Sequence, residues 1–184
     1  MKYEEKTVSK ENKYSGNIIG VDLLKVLQPD GKEAFREVVT HSGGSAVIPI
    51  SNNGEIYMVR QFRKPIERES LEIPAGKLDL GEDPLVCAHR ELKEETGLET
   101  KNMKFLLNIH CAPGFSTEKL YIYAATDLIE GEACADEGEF ISTQKIPINE
   151  LIKMIINNEI TDAKSIIGIL LADKIIKEGL FDIK

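Results

Sequence analysis

Glu91, Glu94 and Glu95 stand at positions i, i+3 and i+4. On an α-helix those three side chains share one face. Like charges so placed cost roughly a few tenths of a kcal/mol per pair. A hard divalent cation removes that repulsion, and Mg2+ commonly takes one or two carboxylates together with substrate phosphates. Arg90, four residues before Glu94, is placed to hold that carboxylate by a charge-assisted hydrogen bond. Partners of this kind orient metal ligands. Gly76 and Gly81 precede the run and would let backbone and metal come close. The chemistry indicated is metal binding beside a phosphate. A solvated, charged helix face is the alternative that residues 90–95 alone leave open.

A helix over 83–96 must carry these glutamates. Pro84 sits where a first helical turn tolerates it, and Gly97 sits where a helix stops. Leu85, Ala88 and Leu92 recur at helical spacing and form one buried stripe. Before it, residues 1–15 read as a frayed polar tail and 17–28 as a strand. Pro29, Asp30, Gly31 and Lys32 form a turn, and 33–41 return as a second strand. Strands 45–50 and 55–62 flank Asn52, Asn53 and Gly54 as a hairpin. Residues 71–73 make a short strand ending at Pro74. After the helix come strands 104–110 and 119–126, an acidic loop over 130–139, and a strand over 140–146. Helices over 148–157 and 162–178 close the chain, the last capped by Thr161 or Asp162. Strands, helix, strands, helices: the fold class is α/β (α+β), a mixed sheet covered by helices.

The 184 residues suggest one domain, or one domain with a small appendage. With 23 basic and 31 acidic side chains the net charge is −8, which excludes a basic nucleic-acid footprint. An anionic substrate would then need a metal or a local arginine cluster. Cys87, Cys111 and Cys134 form no CxxC pair, so a reducing cytoplasm fits better than a disulfide framework. The charged N-terminus lacks the apolar core of a secretory signal, and no apolar run reaches membrane-spanning length. His41, His89 and His110 show no ligand spacing. Cys87 and Cys111 read as small packing residues, and Ile166, Ile167, Ile169, Leu170 and Leu171 as core.

The full spacing narrows the choice. Gly76, five residues, Glu82, seven residues, then Arg90, Glu91, Leu92, any residue, Glu94, Glu95, any residue, Gly97 and Leu98 resembles the Nudix box at every defined position. The resemblance implies an α/β/α sandwich with a mixed sheet. It also implies hydrolysis of a nucleoside diphosphate linked to another moiety, with Mg2+ or Mn2+ as cofactor. It makes Glu91 and Glu95 the core metal ligands, Glu94 a further ligand or a group that polarises one, and the Ala75 carbonyl a completing ligand. Loss of the box glutamates would favour a nucleotide sensor without turnover, and Glu82, Glu91, Glu94 and Glu95 are all present.

Outside the box the chain resembles the ADP-ribose pyrophosphatases. Leu71, Glu72, Ile73, Pro74, Ala75 and Gly76 lead into the box as in that subfamily, and Pro113 lies 15 residues after Leu98. The implied reaction is cleavage of ADP-ribose to AMP and ribose 5-phosphate, with another nucleotide sugar such as GDP-mannose as the alternative. Val59 to Arg63 also fits. Arg63 would contact phosphate, since guanidinium forks match phosphate oxygens, or else be a surface arginine at a strand end. Arg36 would reach a neighbouring subunit's site, and Glu72 the adenosine or ribose. Tryptophan is absent, so stacking falls to Phe, Tyr, Arg or apolar surface. By the same resemblance the general base comes from the late acidic loop: Glu137 first, Glu139 second, with Gly138 as hinge. Glu82 and Glu94 are outside candidates. The resemblance further implies a homodimer built by the N-terminal strands of residues 1–42, ahead of a hydrolase domain over 43–184.

Overall fold

The computed structural model describes residues 3–134, 138 and 140–179. They belong to two compact units, one of residues up to Gly43 with His110–Lys119, the other of Gly44–Ile109 with the chain from Leu120. In the first unit, Lys6–Ser15 is a strand, β1, exposed at every position. This corrects the reading of a frayed tail. A strand solvated on both faces has no alternation to read, and cross-strand pairing holds it instead. It runs antiparallel to β2, Gly20–Leu27, which pairs with β3, Glu33–Thr40. Lys10 Nζ lies 2.7 Å from the buried carboxylate of Asp22 on β2. The predicted turn joins β2 and β3, with Gly31 at φ 82° and its N–H donating to the Gln28 carbonyl at 2.9 Å. Residues 110–119 join this unit through Val39, whose N–H donates to the Phe115 carbonyl at 2.7 Å.

The second unit contains β4 (Gly44–Pro49), β5 (Glu55–Arg63), a 3-10 turn (Lys64–Ile66), β6 (Arg68–Glu72), β7 (Ala75–Lys77) and α1 (Pro84–Thr96). It continues with β8 (Leu98–Glu99), β9 (Asn102–His110), β10 (Lys119–Thr126), β11 (Ile129–Glu130), β12 (Ile141–Pro147), α2 (Ile148–Ile156) and α3 (Ala163–Glu178). The central sheet has the order β7-β4-β10-β9, with β4 parallel to β10 and antiparallel to β7. A second sheet has the order β12-β5-β6, and β8 pairs with β11.

Period-two alternation makes the layers. Ala46, Ile48 and Ile50, with Ile122 and Ala124, enter one core together with Leu151, Ile169 and Ala172 of α2 and α3. Val47, Tyr123 and Ala125 point the other way and pack with Ala88 and Leu92 of α1. The sheet is therefore covered on both faces, as an α/β/α sandwich requires. Each fully buried isoleucine contributes roughly 1.5–3 kcal/mol through burial. Leu170, expected in the core, is exposed.

The hairpin expected between β4 and β5 is also corrected. The turn forms, with Gly54 N–H donating to the Ser51 carbonyl at 3.0 Å. Beyond the single bridge between Ile50 and Ile56, the two strands enter different sheets. Turn chemistry is local, whereas pairing follows from which faces must be buried. Among the described residues no helix is long and apolar enough to cross a membrane.

Candidate active site

Local chemistry fixes α1 at both ends. Asp83 caps it, its Oδ1 accepting from Leu85 N–H at 2.8 Å, and Pro84 begins the first turn. Gly97 ends it at φ 72°, a left-handed conformation. A side chain there would also meet the Gly131 carbonyl oxygen at 2.6 Å. Because Ala88 and Leu92 are fully buried, the glutamates beside them are drawn under the surface. Glu91 is 9% exposed and Glu95 is 6% exposed.

Arg90 is the hub of the glutamates. Its Nε and Nη2 donate to the two oxygens of Glu82 at 2.9 and 3.0 Å. Its Nη1 donates to Glu91 at 2.6 Å and to Glu94 at 3.0 Å, and Nη2 also reaches the Lys77 carbonyl at 3.2 Å. The expected bond to Glu94 is present, within a larger network. The hydrogen bonds from Arg90 hold the Glu82 carboxyl at about 2, far below the ordinary 4.5. Arg90 itself is raised, first by its bonds to Glu82.

Gly76 lies directly beneath this network. A Cβ at Gly76 would overlap the carboxylate of Glu91, so only glycine lets that side chain lie against the backbone. One residue earlier, Ala75 N–H donates to Glu95 Oε2 at 3.0 Å. The Gly76-to-Glu91 and Ala75-to-Glu95 contacts bring the loop and the helix face together.

Glu72 is 3% exposed and holds two cations. Arg63 donates to it through Nε at 2.9 Å and Nη2 at 2.7 Å, and Lys164 Nζ donates at 2.5 Å. Burial alone would raise the Glu72 carboxyl, but Arg63 and Lys164 outweigh it and bring it to about 2. Arg63 is raised, first by its bonds to Glu72, with further contributions from the charges of Glu95 and Asp162. Of the box glutamates, Glu95 thus contributes to holding Arg63 charged.

Cys134 of the acidic loop and Thr143 of β12 are each tied to the same helix. Cys134 N–H donates to the Glu94 carbonyl at 3.1 Å, and Thr143 Oγ1 donates to the Glu95 carbonyl at 3.1 Å. Glu137 and Glu139, between those ties, lie outside the described residues. Arg36 and Pro113 belong to the first unit, where Arg36 donates to Glu5 at 3.0 and 2.5 Å. Cys87 is buried and its thiol is pushed up to about 12 by that burial, which leaves no thiolate for nucleophilic attack. Cys111 is exposed, which corrects its reading as a packing residue.

The NUDIX domain family model matches residues 40–166. The chain belongs to the Nudix family. It is 41% identical to a methanol dehydrogenase activator of Bacillus methanolicus, covering 91% of each chain. It is 40% identical to an ADP-ribose pyrophosphatase of Bacillus subtilis (strain 168), covering 88% of this chain and 89% of the other. At 30% identity, a GDP-mannose pyrophosphatase of Yersinia enterocolitica is covered over 84% of its length. The crystal structure of an ADP compounds hydrolase superposes with a TM-score of 0.84 over 96% of both chains at 21% identity, which shows the shared fold. This Nudix protein is a hydrolase related to the ADP-ribose pyrophosphatases.

The donor chemistry of the site fits a hard divalent cation. One guanidinium holds three carboxylates, Glu82, Glu91 and Glu94. All the donors are oxygens, the set that suits Mg2+ or Mn2+. Among the described residues no group of three or more His, Cys, Asp or Glu side chains is arranged so that it could hold a metal ion as it stands. Glu91, Glu94 and Glu95 are turned toward Arg90 and Ala75 N–H, so metal binding would redirect carboxylate oxygens from those donors.

Two contacts of this Nudix site go beyond what the local sequence reveals. Glu82 is the bidentate partner of Arg90, although only its fixed place in the box marks it. The contact between Glu72 and Lys164 spans 92 residues, and no local pattern could reveal it.

Proposed function

We propose that this chain hydrolyses the pyrophosphate bond of ADP-ribose, giving AMP and ribose 5-phosphate, with Mg2+ or Mn2+. The carrying observation is the carboxylate-rich cluster around Arg90, in which three glutamates share one guanidinium. The similarity to an ADP-ribose pyrophosphatase over 88% of the chain supports the choice of substrate. Glu91, Glu94, Glu95 and the Ala75 carbonyl would hold the metal. When bound, the metal neutralises phosphate charge and lowers the pKa of a bound water. Arg63, held flat by Glu72, would receive a phosphate oxygen through its guanidinium. Arg36, Pro113 and Glu72 complete the proposed substrate contacts, with Arg36 serving the partner of a homodimer built by residues 1–42.

In the proposed reaction a water oxygen bonds to one phosphorus as the bond from that phosphorus to the bridging oxygen breaks. The bridging oxygen leaves on the other phosphate, and the proton from water goes to a loop glutamate, Glu137 before Glu139. The ties of Cys134 and Thr143 to the carbonyls of Glu94 and Glu95 support a base from that loop. A carboxylate beside metal ions stays ionised at neutral pH. Action in a reducing cytoplasm is part of the proposal, supported by three cysteines that form no CxxC pair in the sequence.

The test is phosphate release from ADP-ribose and GDP-mannose, coupled to a phosphatase, with Mg2+, Mn2+ or EDTA. ADP-ribose turnover that EDTA abolishes is expected. Faster turnover of GDP-mannose would transfer the assignment to that sugar, and no turnover of either would favour a nucleotide sensor. The similarity to a methanol dehydrogenase activator favours a second reading, activation of such a dehydrogenase. Adding the chain to a purified methanol dehydrogenase and measuring alcohol oxidation tests it.

A further inference from the structure

The start of α3 grips the strand end that leads into the metal loop. Ser165 is 0% exposed, and its Oγ accepts from Ile73 N–H at 2.8 Å, across 92 residues of sequence. The same hydroxyl donates to Asp162 Oδ2 at 2.5 Å. Asp162 also accepts from Ser165 N–H and from Lys164 Nζ, both at 2.9 Å. Helix capping accounts for the bond from Ser165 N–H to Asp162. It does not account for the hydroxyl bond to a distant backbone amide.

Residues 73–75 are thereby fixed at three successive points. Ile73 N–H is held by Ser165, the Pro74 carbonyl accepts from Val47 N–H at 2.9 Å, and Ala75 N–H donates to Glu95 at 3.0 Å. Pro74 has a locked φ, so a displacement at Ile73 passes directly to Ala75. The geometry points to Ser165 as a positioning residue for Glu95: through Ile73 and Pro74 it sets the place of the amide that aims this carboxylate. The inference rests on the proposed metal role of Glu95. It adds a residue outside the box that acts through the loop and touches neither metal nor substrate.

The test is isothermal titration of folded wild-type and Ser165→Ala protein with Mn2+, alongside kinetics on ADP-ribose. Loss of the hydroxyl is expected to weaken Mn2+ binding about tenfold, the lower range for partners that orient metal ligands. The Mn2+ concentration for half-maximal turnover should rise by the same factor, with KM for ADP-ribose at saturating metal unchanged. A purely structural role would lower the melting temperature and leave the Mn2+ affinity of the folded protein as it was. Ser165→Cys keeps the shape with a much weaker acceptor, and should give an intermediate loss. Unchanged Mn2+ affinity in folded Ser165→Ala, or in Ser165→Cys should the alanine variant not fold, overturns the inference. The titration needs no substrate. A wild-type chain inactive on ADP-ribose, with Mn2+ binding still weakened by the substitution, overturns the proposed substrate and upholds the positioning role. A wild-type chain that binds no Mn2+ overturns both.

Discussion

Glu72→Gln isolates the buried carboxylate that holds Arg63 and Lys164, with nearly the same shape and no charge. The Glu72 carboxyl lies at about 2 when folded, against an ordinary 4.5. That difference corresponds to roughly 3 kcal/mol of folding stability near neutral pH. Because the folded-state value is the lower one, the contribution is complete above about pH 5 and disappears as pH falls toward about 2. By the same relation about 1 kcal/mol should remain near pH 3. Urea unfolding of both proteins at several pH values between 7 and 3 measures it. Other carboxylates also protonate over this range, but they do so in both proteins, and the difference between the two curves reports Glu72. The expected gap at neutral pH corresponds to roughly 6–12 °C in melting temperature for a chain of this size. A gap that stays constant from pH 7 to pH 3 would refute the ion-pair reasoning and leave Glu72 as a packing residue.

Gly76→Ala should push Glu91 out of its place, because the added methyl overlaps its carboxylate; an activity loss of about 10-fold to 100-fold with weaker Mn2+ binding is expected. Arg90→Lys keeps the charge but cannot reproduce five donated bonds to Glu82, Glu91, Glu94 and Lys77. It should cost about 2–4 kcal/mol in urea unfolding, and stability equal to wild type would contradict the hub role. Glu91→Gln and Glu95→Gln should each lower turnover by orders of magnitude with the circular dichroism spectrum unchanged; near-normal activity in both would remove the metal assignment. Glu137→Gln should reduce kcat more than it weakens Mn2+ binding, and a larger kcat loss in Glu139→Gln would exchange the two roles.

What the sequence revealed tracks how local the deciding physics is. Helix α1 was legible because Pro84 and Gly97 act on their own neighbours, while its Asp83 cap emerged only from the structure. The central strands were legible because both faces of β4 are buried, and a short apolar run announces that. Strand β1 was not legible, since it buries nothing and depends on pairing with β2. The turn at residues 52–54 was correctly placed, while the partners of its flanking strands were set by distant packing. At the site, the box spacing located Arg90 and its glutamates. The Glu72–Lys164 and Ile73–Ser165 contacts join residues 92 positions apart, beyond the reach of any periodicity.

Charge balance separates the two clusters that flank residues 73–75. On one side, Arg63 and Lys164 face Glu72 and Asp162, two cations against two anions. Such a cluster is neutral, so it has no electrostatic reason to recruit a cation, and Glu72 holds Arg63 and Lys164 in fixed places. On the other side, Arg90 is bonded to three carboxylates, Glu82, Glu91 and Glu94. That cluster is rich in carboxylates, and closely placed carboxylates of this kind are relieved by a cation. Ile73, Pro74 and Ala75 connect the neutral cluster to the charged one through Ala75 N–H and Glu95. In the proposed function, rigidity comes from the balanced side and reactivity from the carboxylate-rich one. Neutralising a carboxylate should consequently act in opposite ways: Glu72→Gln lowers stability by leaving cations without a partner, whereas Glu94→Gln relieves repulsion and weakens Mn2+ binding with little loss of stability.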